Sequence, residues 1–204
     1  MDSYTTYTER VLQPAPEVLG LKLLPFTLGH SMLLKCAKSQ FILGDIESLK
    51  ALPVKSMIVE LVFAVLVCST TYEDFKKEIH EGTLQTELQQ YVNDLTAGVE
   101  KAKSFCLLLE VSKFINYIKS GTTAPLYRVL NDNKNNVKTN PVEPEEAVIS
   151  TLMTECGYSR NECLTLPLTE TLSAYILYAY KQGTIELISK EVFELEQKLG
   201  VKLS

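Results

Sequence analysis

MIVELVFAVLVC, residues 57–68, is the most apolar run in the chain, and its reading decides the fold. Its valines would suit a strand, but a buried strand seldom exceeds about eight residues, and the flanking stretches read as helical. We therefore assign residues 55–68 to a helix buried on most of its surface. Spanning a bilayer takes roughly 20 apolar residues, and Glu60 interrupts a run already shorter than that, so no membrane span is expected. Working outward, Asp45 can cap a short helix that Pro53 stops after Leu52. On the other side Thr71 and Asp74 stand at the spacing of a reciprocal N-terminal cap, which predicts a helix to about His80.

Further upstream, Thr27 can accept a bond from an orphan amide and start a helix whose face holds Met32, Leu33, Cys36 and Ala37. Residues 1–26 carry Pro14, Pro16 and Pro25 and little periodicity, and read as an extended arm on the surface or on a partner. Downstream, residues 84–119 lack proline and contain the single glycine Gly98, predicting one long bent helix or two consecutive ones. Leu107, Val111, Phe114, Ile115 and Ile118 form an apolar stripe there, with Gly121 as a left-handed stop.

The stretch NDNKNNVKTNPVEP, residues 131–144, is rich in side chains that bond their own backbone in turns, and reads as a linker. Beyond it Pro144 suits a first helical turn and Gly157 its stop. Ser159 can cap a brief helix, Pro167 starts a longer one closed by Gly183, and Ser189 caps the last. The expected fold is all-α, a multi-helix bundle: arm 1–26, helical core 27–130, linker 131–144 and C-terminal helical subdomain 145–204.

Composition narrows the chemistry. Twenty Lys plus Arg against 25 Asp plus Glu give a net charge of −5, which repels a phosphate backbone and argues against nucleic-acid binding. The first residues lack the basic start and apolar core of an export signal, so a cytoplasmic protein is expected. Cys36, Cys68, Cys106, Cys156 and Cys163 are odd in number and widely spaced, which predicts buried free thiols in a reducing compartment. Cys156 and Cys163 do not have zinc-ligand spacing and have no histidine nearby. His30 and His80 fall in separate helices, one in a first turn and one at a helix end. Neither a phosphate-binding GxxxxGK[ST] nor a dinucleotide GxGxxG is present. Catalytic, cofactor and metal residues are therefore assigned to none, and no enzyme is expected.

Tyrosine supplies amphipathic contact area suited to interfaces. In the helix after Pro167, Leu168, Leu172, Tyr175, Ile176 and Ala179 form the predicted core stripe, with Tyr178 and Tyr180 partly off it. Tyr175, Tyr178 and Tyr180 are the candidate partner-binding residues, although an edge-of-core position is the reading the pattern favours.

Two passages carry a resemblance. LKLLPFTLGHSMLL (residues 21–34) with FAVLVCSTTYEDF (63–75), and GYSRNECLTLPLTETLSAYILYAYKQG (157–183), resemble tail-region proteins of tailed phages and prophages, in which a TLGH helix start, a VCS helix end and a GYS…LPL helical hairpin recur. Thr27, Gly29, His30, Cys68, Tyr158 and Pro167 match that pattern, which spans under half of the chain and has no counterpart for residues 83–140. The resemblance implies a protein similar to tail assembly chaperones, which hold apolar helices of the tape-measure protein until tail-tube subunits polymerise, and it implies no catalytic residues. The tail tube or tape-measure protein is thus the expected partner. A minor structural virion component is the second reading, and an enzyme with a site built around His30 or a cysteine the third.

Overall fold

The computed structural model describes residues 15–44, 48–49, 51–101, 106–130 and 143–199. They form ten helices and two small two-stranded sheets, a predominantly all-α protein. The chain divides into two compact units, one of Met1–Phe26 and Leu33–Ile118, the other of Thr27–Met32 and Lys119–Ser204. The division after Ile118 falls inside a helix. Residues 131–142 of the expected linker, residues 1–14 of the expected arm and the Asp45 cap lie outside the described residues.

The first unit opens on a hairpin, β1 (Glu17–Val18) paired antiparallel with β2 (Leu21–Lys22). Leu19 and Gly20 turn it with positive φ at both positions (54° and 79°), the backbone twist that a two-residue hairpin favours. A leucine in that conformation is strained, and the Glu110 carboxylate offsets this by accepting the Leu19 N–H at 2.7 Å. The expected surface arm is thereby corrected for residues 15–26: Val18, Leu23 and Phe26 are buried. The prolines bar a helix there but leave short extended pieces whose alternate residues turn inward.

Helix α1 (Leu28–Cys36) begins where Thr27 predicts it. Its buried residues are Leu28, Gly29, His30, Ser31 and Leu34, whereas Met32 and Leu33 are half-buried and Cys36 and Ala37 exposed, so the buried face lies nearer the helix start than expected. After it, α2 (Gln40–Leu43) is capped by Ser39. Helix α3 (Val54–Ser69) is the predicted apolar helix, with Met57, Ile58, Leu61, Val62 and Ala64 through Cys68 all buried. Its one acid, Glu60, accepts the Ser39 hydroxyl at 2.6 Å and the Gln40 N–H at 2.7 Å, which explains a carboxylate inside an apolar run.

Helix α4 (Tyr72–Glu81) is capped by Thr71, whose Oγ1 accepts the Asp74 N–H and donates to the Asp74 carboxylate. The predicted long segment is two helices, α5 (Thr83–Lys101) and α6 (Leu107–Gly121), with Gly98 inside the first of them. Ile58, Val62 and Leu66 of α3 form a stripe at i, i+4, i+8 against Leu88, Tyr91 and Val92 of α5, Leu19 and Leu21 of the hairpin, and Leu107. On α6, Val111, Phe114 and Ile118 are buried as their spacing predicts, and Tyr117 joins them. Gly121 is not the left-handed stop expected: it stays helical, and the hydroxyls of Thr122 and Thr123 satisfy the Lys119 carbonyl instead.

In the second unit, α7 (Pro144–Glu155), α8 (Arg160–Thr165) and α9 (Leu168–Lys181) pack around Val148, Ile149, Leu152, Cys163, Leu164, Leu168 and Ile176. Strand β3 (Tyr127–Val129) pairs antiparallel with β4 (Ile185–Leu187), and α10 (Lys190–Leu199) closes the described chain. This second sheet joins strands about 58 positions apart, as the ion pair of Arg128 with Glu186 across it marks. Among the described residues no helix is long and apolar enough to cross a membrane.

Candidate functional site

Helix α9 presents the three candidate tyrosines on two different sides. Its buried residues are Leu168, Thr171 and Ile176, and Pro167 serves as its N-cap. Tyr175 and Tyr178, three positions apart and so neighbours on one face, are half-buried. Tyr180 is five positions from Tyr175 and falls on another side, 50% exposed, where Leu177, 49% exposed, accompanies it one turn earlier. Tyr178 is hydrogen-bonded to Glu155; loss of water contact first, then the charge and hydrogen bond of Glu155, hold its hydroxyl above the ordinary tyrosine value. Leu177 lies off the predicted core stripe, and the structure leaves it uncovered.

The corner between α7 and α8 is set by local chemistry. Gly157, at φ 77°, ends α7 in the left-handed conformation, and the Tyr158 N–H reaches back to the Leu152 carbonyl. Ser159 and Glu162 then form a reciprocal cap: the Glu162 carboxylate accepts the Ser159 N–H and hydroxyl, each at 2.7 Å, while Ser159 Oγ accepts the Glu162 N–H. Arg160 grips Glu146 with both terminal nitrogens, at 2.7 and 3.2 Å. The Arg160 hydrogen bonds lower the Glu146 pKa, and those from Ser159 lower that of Glu162. Both carboxylates are thus depressed in the folded state. Their stabilisation is complete above the ordinary glutamate pKa of about 4.3 and is lost as pH falls through the depressed values. We expect the corner to loosen only in acid below that range. Side-chain carboxyl titration by NMR checks this, and a midpoint at or above the ordinary value for either glutamate would contradict it.

His30 is buried in a helix cap. Its backbone N–H donates to Thr27 Oγ1 at 3.1 Å, and its Nδ1 accepts the Thr27 N–H at 3.3 Å, a cap in which an imidazole replaces the usual carboxylate. Thr27 also forms an isolated antiparallel bridge with Pro167, so residues of the two passages quoted above meet here. His80 lies exposed in the last turn of α4.

Among the cysteines the expectation of burial is corrected for three. Cys36, Cys106 and Cys156 are exposed, whereas Cys68 and Cys163 are buried, all as free thiols. The exposed three sit at the end of α1, just before α6 and at the C-cap of α7, where apolar neighbours in sequence need not cover them. Burial pushes the Cys68 thiol up to about 12, against the lowering effect of its hydrogen bond with Tyr117, and burial also raises Cys163. Because the thiolate is the reacting species, native protein should react with iodoacetamide at three cysteines, and at all five only after unfolding. Mass spectrometry of the alkylated chain reads the count; rapid labelling of Cys68 in the native state would contradict its burial.

An open groove of about 570 Å³ runs along α5, lined by Gly82, Gln85, Thr86, Gln89, Gln90, Asn93 and Asp94. These described lining residues are mainly amides and hydroxyls and include neither histidine. Among the described residues no three His, Cys, Asp or Glu side chains converge as metal ligands. Comparison of the chain with protein-family models, with curated proteins and with solved structures finds no match.

Proposed function

We propose that the chain is a non-enzymatic protein-binding helical protein, a tail assembly chaperone-like factor that covers apolar helices of a tail protein until they are built in. The observation that carries this reading is the outer face of α9, where Leu177 and Tyr180 hold large apolar surface in water one turn apart. An amphipathic helix docks through such anchors at i and i+3, and covering its apolar stripe is what keeps it from aggregating. The resemblance of residues 21–34, 63–75 and 157–183 to phage tail-region proteins supplies the biological setting, with the tape-measure or tail tube protein as the partner.

The test is capture of tagged chain from infected or induced cells, with co-purifying proteins identified by mass spectrometry. A tape-measure or tail tube protein is expected with the unaltered chain, and the chain itself should be missing from purified particles. The double variant Leu177→Glu/Tyr180→Glu should lose the partner by about tenfold or more, since removing two anchors costs more than about 1.4 kcal/mol. Its own stability should change by only about 0.5 kcal/mol per site, as is usual at exposed positions. Undiminished capture by the variant would refute the α9 face, and fixed stoichiometry in particles would make the chain a virion component.

A further inference from the structure

We draw no further inference here: the strongest candidate, the surface patch on the β3–β4 sheet where Tyr127 and Leu187 face each other across the ladder and both stand exposed, carries nothing, because nothing in the structure shows what covers it.

Discussion

Replacing Phe114 with alanine is expected to lower the unfolding free energy by about 3–5 kcal/mol. Phe114 is fully buried on α6. Its ring meets Phe41 edge-on at 4.8 Å between centroids and lies 5.6 Å from Tyr117, which in turn meets Phe26 edge-on at 5.7 Å. Four aromatic rings from three stretches of the first unit thus share one packed cluster. Alanine would remove both the transfer energy of the ring and the edge-to-face contacts, and would leave a cavity that its rigid neighbours fill poorly. Against a typical total of about 5–15 kcal/mol, such a loss brings a domain close to unfolding. Phe114→Leu keeps most of the volume and should cost far less. Urea unfolding followed by far-UV circular dichroism measures both, and a cost below about 1 kcal/mol for the alanine would show that the cluster is not packed as described.

The second large effect is expected at His30. His30→Leu keeps a side chain of similar bulk but removes the acceptor for the Thr27 N–H, a buried donor that then lacks this partner, at a cost of about 1–3 kcal/mol. Thr27→Ala removes the other half of the reciprocal cap, with about 1 kcal/mol expected for a lost N-cap. Because both substitutions act on one pair of bonds, their costs should not add. A double-mutant cycle by chemical denaturation reads the shortfall, and additivity within about 0.3 kcal/mol would mean the two residues do not work together.

Local signals were legible in the sequence. Helix α3 follows from the length of its apolar run, and the caps at Thr27, Thr71, Ser159 and Ser189 follow from single hydroxyls whose partners lie within three residues. Gly157 and Gly183 take the left-handed conformation their positions imply. Pairing over distance was not legible. Strands of two or three residues carry too short a pattern to announce themselves, and three helices separate β3 from β4 along the chain. The face of α1 departs from its apolar pattern because His30 and Ser31, polar by type, are buried through hydrogen bonding and packing. The α9 stripe was closer: Leu168 and Ile176 are buried, and Leu172, Tyr175 and Ala179 half-buried, while the exposed Leu177 needed the structure to show that it stays uncovered.

Leu24 lies in neither helix nor strand, yet its N–H donates to the Cys68 carbonyl at 2.9 Å and its carbonyl accepts the Tyr117 hydroxyl at 2.8 Å. That single peptide is laced to two helices at once, from opposite ends of its own residue. Irregular chain here is therefore not slack chain: the strip bearing Leu24 works as a stitch between α3 and α6.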